Sequence, residues 1–293
     1  MESGIMSDPD LPLVTVIIAS YNHGPYIEES ILSVLQQTYS NVELLVVDDG
    51  SKDDSAARIQ RLQEKYEFDF RTQPNQGLAQ TLNDCIARSQ GSLIAPLGSD
   101  DVMLPDRIAK QVAYIQGKPE VGICAGNIQT IDAQGNIIQK RCRARAFRRL
   151  DFNAMFNATD AGPPAPTLLF RREALEMVGG FDPEIRLEDL QVELKITRAG
   201  FFIDVLSDVL AKYRVHGANT YKNRRFMVEQ VMATYACFRD HPDYPNACAK
   251  FLNSMLLKCA SDDKVLAWAL LRKLPPRYWD MKTLRGLGRL FLK

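Results

Sequence analysis

The sequence predicts an α/β fold, a mostly parallel sheet with flanking helices, followed by a helical C-terminal extension. Two observations carry the sheet. Short apolar, β-branched runs alternate with segments of helical spacing through about the first 120 residues, and such alternation builds a parallel sheet with helices on both faces. The runs are apolar at consecutive positions, as in Val14-Thr-Val-Ile-Ile18 and Leu44-Leu-Val-Val47, and strands buried on both faces read this way. A third observation sets the extension apart: residues 222–293 are mostly helical by pattern and carry no catalytic signature.

In order, residues 1–10 are acidic, lack an apolar core and read as a loose tail, not a signal peptide. Residues 13–20 form a central strand that ends in the loop Tyr21-Asn-His-Gly24. A helix over 26–37 follows, with Ile27, Ile31, Leu32, Val34 and Leu35 near helical spacing. Residues 42–47 are a second strand, closed by Asp48-Asp49-Gly50-Ser51, and Asp53 or Asp54 starts the next helix. A weak strand over 68–72 leads to Asn75-Gln-Gly77 and a helix to about Ser89. Residues 93–97 are a short buried strand running into Ser99-Asp100-Asp101.

From 119 on the pattern changes. Residues 121–126 read as a strand and 127–140 as a hairpin around Asp132-Ala-Gln-Gly-Asn136. Six basic residues crowd 140–149, either a solvated loop or a site for an anionic acceptor or lipid headgroup. A strand is expected over 167–170, a helix from 187 to Arg198 ended by Gly200, and two strands over 201–205 and 209–215. The expected division is a tail (1–10), one domain over 11–220 with halves at 11–120 and 121–220, and a helical region over 221–293.

Composition narrows the function classes. The 293 residues carry a formal net charge of zero, 46% hydrophobic and 25% charged residues, so nothing global argues for nucleic acid. The six cysteines (85, 124, 142, 237, 248 and 259) have neither metal spacing nor a compact disulfide framework and read as reduced thiols of a cytosolic protein. No stretch has the length of a membrane span. From Leu271 the chain is Lys and Arg mixed with large apolar residues, with Asp280 as the one acid. That composition suits a basic amphipathic helix on an anionic membrane, or a helix docked on the core.

Chemistry concentrates where strands end. There is no GxGxxG and no Walker A sequence, so a standard dinucleotide or P-loop site is disfavoured. Asp100 and Asp101 are two like charges at one spot, and a hard divalent ion is the usual partner for such oxygens. Ligand sites of open parallel sheets lie at these C-terminal strand ends. The competing reading has Asp100 capping a helix near Pro105, with Asp101 solvated. Glu188 and Asp189 open a helix, where acids also suit the helix dipole.

Together these pieces resemble the family 2 glycosyltransferases of the GT-A fold over about residues 12–220. Seven motifs fall in that family's order: Val14-Thr-Val-Ile-Ile-Ala-Ser-Tyr-Asn22, Val46-Val-Asp-Asp-Gly-Ser51, Asn75-Gln-Gly77, Ser99-Asp100-Asp101 with Leu104-Pro-Asp-Arg107, Gly179-Gly-Phe-Asp182, Glu188-Asp189, and Tyr213-Arg-Val-His216 with Asn219. The resemblance implies a nucleotide-sugar transferase, with UDP-sugar as donor and Mn²⁺ or Mg²⁺ as cofactor. Ala19, Tyr21, Asp48, Asp49, Asn75, Gly77, Ser99 and Asp100 would line the donor site. Asp101 would be the main metal ligand, with Asp100 and His216 beside it. Asp189 would be the general base, supported by Glu188, in one inverting displacement. The implied acceptor is a saccharide, polyprenyl-diphosphate-linked, in bacterial O-antigen or capsule assembly. The implied location is cytoplasmic, peripheral on the inner face of the membrane through 271–293. One departure is Gly98, where many relatives carry an Asp. Two rival readings are a nucleotidyltransferase and a non-catalytic sugar- or lipid-binding module on the same fold.

Overall fold

Four parallel strands open the architecture, and their order explains where a ligand can sit. The structure, a computed structural model, describes residues 11–138, 145–217, 219 and 222–291. Strands β1 (Val14–Ser20), β2 (Val42–Asp48), β3 (Asp69–Thr72) and β4 (Leu93–Gly98) lie in the order β3-β2-β1-β4, all parallel. Helices α1 (Gly24–Leu35), α2 (Ser55–Gln63) and α3 (Leu78–Arg88) connect them. Val14, Val16, Ile17 and Ile18 are all fully buried. Burying each such side chain contributes roughly 1.5–3 kcal/mol, which anchors the strand in the core.

The second half makes the sheet mixed. After β5 (Val102–Met103) and α4 (Arg107–Ile115) come β6 (Val121–Ile131), β7 (Arg148–Leu150), the short α5 (Phe152–Phe156), β8 (Leu169–Arg171), α6 (Arg172–Met177), α7 (Glu188–Arg198) and β9 (Phe202–Arg214). The sheet continues β4-β8-β6-β9-β5, with β7 also on β9. β8 runs antiparallel between β4 and β6, whereas β6 and β9 are parallel.

Of the hairpin expected over 127–140, the structure shows β6 running to Ile131, a turn in which Asp132 N–H donates to the Asn136 carbonyl at 2.9 Å, and an antiparallel return in which Ile137 bridges Ile131 and Ile138 N–H donates to the Thr130 carbonyl at 3.1 Å; residues 139 and 140 lie outside the described residues. Two other expectations change here. The two strands expected over 201–205 and 209–215 are the single strand β9. The exposed Ser207 does not end it: residues 206–208 bulge opposite Gly126, and pairing with β6 resumes at Val209. Gly126 fits closely there: a Cβ would lie 2.4 Å from Leu210 Cδ1 and 3.0 Å from the Asp208 carbonyl, so Leu210 would have to move. Finally, within the basic stretch, Lys140, Arg141 and Arg143 lie outside the described residues, while Arg148 and Arg149 belong to β7. Arg149 there donates to the buried Asp204 at 2.8 and 2.7 Å.

The chain divides into two compact units. One takes in the chain up to Phe152 together with Gly162–His216; the other comprises Asn153–Ala161 and Gly217–Lys293. The second unit holds α5 from Asn153 on and the helices α8 (Arg224–Ala236), α9 (Tyr244–Cys259), α10 (Lys264–Lys273) and α11 (Met281–Phe291). Phe156 stacks edge-on against Tyr235, Phe238 and His241 within it. Leu252, Leu256, Leu266, Leu270, Leu274 and Leu290 form its own core. No helix among the described residues is long and apolar enough to cross a membrane.

Candidate active site

Strand register brings the first set of residues together. Ala19 of β1 lies opposite Gly98 of β4, and Ser20 opposite Asp48 of β2. Three chain segments therefore leave the sheet at one C-terminal edge, where open α/β sheets bind ligands.

The β2 end is a scaffold of turns. Asp48 is buried; its Oδ1 accepts from Ser51 N–H at 2.9 Å, while its Oδ2 has no partner. Asp49 gathers the following loop. Its Oδ1 accepts from Gln73 Nε2 (2.8 Å) and Gln76 N–H (3.0 Å), and its Oδ2 from Gly77 N–H (2.9 Å). Asn75 Nδ2 donates to the Asp49 carbonyl at 2.9 Å. The expected donor residues Asp49, Asn75 and Gly77 are thus one hydrogen-bonded unit, and the Asp49 carboxylate serves first to shape it. Gly77 has φ +90°, a left-handed conformation that glycine adopts without strain. Tyr21 stands 46% exposed at the end of β1, so an aromatic face is open there for a base to stack on.

The β4 end carries the charged cluster. Val102 pairs antiparallel with Lys212, which lays Asp100 and Asp101 beside the residues that follow in β9. Asp101 is buried, and its Oδ1 accepts from the backbone N–H of Arg214 at 2.8 Å. Burial, then the neighbouring Asp100, pushes its carboxyl well above the usual range; Arg214 and Arg107 pull the other way. Both arginines are almost fully buried. Arg214 Nε donates to the Asp100 carbonyl at 2.8 Å, and its Nη2 pairs with Glu29. Burial brings Arg107 down to about 9. Two buried guanidiniums, those of Arg214 and Arg107, thus act on Asp101 and offset part of the charge of the paired aspartates.

Asp100 faces elsewhere. Its Oδ2 lies 2.8 Å from His216 Nε2. His23, which the sequence reading passed over, joins them: ligand atoms of His23, Asp100 and His216 all lie within 4.8 Å of one another. His23 Nδ1 is 2.7 Å from Ser99 Oγ, and its ring meets His216 edge-on at 5.6 Å between centroids. Burial lowers the His23 pKa against the pull of Asp100. One carboxylate and two imidazoles fit a divalent cation. Among the expected ligands, Asp100 and His216 fall in this cluster, while Asp101 has its Oδ1 on the Arg214 N–H and its Oδ2, like Asp100 Oδ1, beside Gly98.

A second cluster sits on the first turns of α7. Asp189 Oδ1 accepts from Leu190 N–H at 2.7 Å. Burial, then the Asp189 charge, pushes Glu188 up to about 8, and burial raises Asp189 in the same direction. Glu193, one helical turn past Asp189, is buried and raised well above the usual range by burial and then by those two neighbours. A carboxylate made more basic by its surroundings is suited to taking a proton. Glu193 was legible as a charge among the apolar positions Val192, Leu194 and Ile196, and was missed because acids on helices are usually solvated.

Comparison with known proteins places the chain in a family and a fold. The family model described as glycosyl transferase family 2 matches residues 15–179. An uncharacterized glycosyltransferase of Nostoc sp. strain PCC 7120 is 28% identical over 95% of this chain and 88% of its own length. The O-antigen biosynthesis glycosyltransferase WbnJ of Escherichia coli is 29% identical over 78% and 86%. Among solved structures, S. aureus TarS 1–349 in complex with UDP-GlcNAc superposes with a TM-score of 0.66 at 17% identity, covering 95% of this chain and 80% of TarS. The mannosyltransferase PcManGT from Pyrobaculum calidifontis, in complex with GDP-Man and Mn²⁺, gives 0.63 at 22% identity over 96% and 88%. At these identities the two structures speak to the fold.

Proposed function

We propose that this chain, which belongs to glycosyl transferase family 2 and has the GT-A fold, moves a sugar from a UDP-sugar to a saccharide hydroxyl with inversion. The observation that carries the reading is the convergence of Asp100 and His216 at the C-terminal end of β4, beside the exposed Tyr21 and the Asp49-anchored loop. In this reading Tyr21 stacks on the base, and Ala19, Asp48, Asn75, Gly77 and Ser99 frame the nucleotide. Asp100 and His216 hold a divalent ion, Mn²⁺ or Mg²⁺, with Asp101 fixing the strand end behind them. That ion supplies charge neutralisation for the departing diphosphate.

The chain's own residues do the rest. Asp189, made basic by burial, accepts the proton of the acceptor hydroxyl as its oxygen forms a bond to the anomeric carbon. The bond from that carbon to the diphosphate oxygen breaks on the opposite face, which inverts the centre. Glu188, next along the helix, holds its proton more tightly near neutral pH and so adds no second negative charge at the base. Donor binding falls to 11–120 and acceptor binding to 121–220, with 221–293 as a separate helical region. The TarS complex with UDP-GlcNAc supports a uridine donor, and the WbnJ relative supports a role in O-antigen biosynthesis; a lipid-linked acceptor at the cytoplasmic face is part of the proposal.

The test is transfer assayed on a panel of UDP- and GDP-sugars, with and without chelation, and the anomeric configuration of product read by NMR. Metal-dependent consumption of a UDP-sugar with inverted product supports the reading. Full activity after thorough chelation removes the metal, and retained configuration removes the single displacement.

A further inference from the structure

We infer that His23 is a third protein ligand of the divalent ion, making this a two-imidazole, one-carboxylate site that favours Mn²⁺ over Mg²⁺. The inference rests on the metal-dependent reading above and adds a residue and an ion preference to it.

Three observations carry it. First, ligand atoms of His23, Asp100 and His216 converge within 4.8 Å, from three separate places in the chain: the β1–α1 loop, the β4 end and the β9 end. Second, His23 is held in orientation. Its Nδ1 lies 2.7 Å from Ser99 Oγ, its backbone N–H donates to Ser55 Oγ at 3.1 Å, and its ring packs against Tyr26 and His216. With Nδ1 engaged by Ser99, Nε2 is the nitrogen left to coordinate; a ligating histidine characteristically spends its other nitrogen on such a fixing bond. Third, the strand end contributes no carboxylate of its own at Gly98. A Cβ there would lie 2.9 Å from both Asp100 Oδ1 and Asp101 Oδ2, so those carboxylates already fill the space a side chain would need.

The chemistry of the donor set follows. Mg²⁺ prefers carboxylate and water oxygens and binds through carboxylates plus substrate phosphates. Imidazole nitrogen suits the later transition ions, and a site with two of them and a single negative charge discriminates against Mg²⁺. Exchanging His23 for a carboxylate shifts that balance toward Mg²⁺.

The test uses the full chain with UDP and Mn²⁺, read by pulsed electron paramagnetic resonance. Nitrogen modulation on Mn²⁺ reports coordinated imidazoles directly and needs no variant. Modulation that fits two imidazoles in the wild type supports the inference. Modulation from one imidazole, with Mn²⁺ still bound, overturns it and leaves the metal-dependent reading standing. No Mn²⁺ binding at all overturns both. In titrations of the free-Mn²⁺ signal, His23→Gln weakens Mn²⁺ binding by about tenfold or more, and His23→Asp narrows the Mn²⁺-to-Mg²⁺ preference. Equal Mn²⁺ affinity in wild type and a folded His23→Gln variant counts against the inference.

Discussion

At the scale of single residues, the helix opening at Glu188 separates two carboxylates that the sequence alone leaves adjacent. Asp189→Asn keeps shape and removes basicity, so single-turnover transfer should fall by roughly 10²–10⁴-fold while UDP-sugar affinity is nearly kept. Glu188→Gln should cost less; the reverse ranking would exchange their roles. A pH dependence belongs to the same pair. Glu188 rises from its ordinary 4.5 to about 8 in the fold, so the folded state binds this proton more tightly than the unfolded chain. Its contribution to stability is fully present below about pH 4.5 and is lost as pH rises through about 8. Asp189 and Glu193 shift in the same direction. Thermal unfolding followed from pH 5 to 9 should show a falling midpoint, and Glu188→Gln should flatten that slope; identical slopes would show that Glu188 titrates alike in both states.

At the scale of elements, the site depends on how β4 enters and how β9 returns. Gly91, just before β4, is buried, and its N–H donates to Thr15 Oγ1 at 3.0 Å. A Cβ there would lie 2.5 Å from the Thr15 backbone nitrogen, and backbone within a central strand cannot step aside. Gly91→Ala should therefore destabilise the chain by about 1–3 kcal/mol, read as a lower midpoint in urea unfolding; an unchanged midpoint would show that the strand end moves freely. Much of β1 to β4 was legible because consecutive apolar residues admit few other readings. β9 was not, since the polar pair Ser207-Asp208 looks like a break until it is seen as a bulge in β9 opposite Gly126, with pairing to β6 on both sides. The Asp101–Arg214 bond joins residues 113 positions apart, and nothing local to either announces it.

At the scale of the whole molecule, the basic C-terminal segment poses the open question of membrane contact. Leu274 and Leu290 are buried in the core of the helical unit, and Thr283 and Gly286 are the other buried positions of α11. Truncating the chain before Leu271 would thus damage that core and test nothing else. Met281, Leu284 and Phe291 are instead 63%, 55% and 70% exposed, on a helix that also carries Lys282, Arg285 and Arg289. Each basic residue near an anionic surface contributes roughly 1 kcal/mol. Replacing Leu284 and Phe291 by Ser, and separately Arg285 and Arg289 by Glu, should each weaken flotation with anionic liposomes, and salt should weaken the wild type. Binding untouched by all three would assign α11 to packing alone.

The sequence by itself determined the α/β class, the run of β1 to β4, the family and the residue types available for chemistry. It could do so because buried parallel strands, turn glycines and paired carboxylates each leave a local mark. Only the tertiary structure decided how two neighbouring aspartates differ in their partners. Asp100 and Asp101 are equivalent along the chain, and their difference arises where β5 pairs with β9, turning Asp101 onto a backbone N–H and leaving Asp100 with His216. His23 entered the cluster for the same reason: its partners Ser99, Asp100 and His216 are brought to it by strand order, which acts across the sheet and not along the sequence.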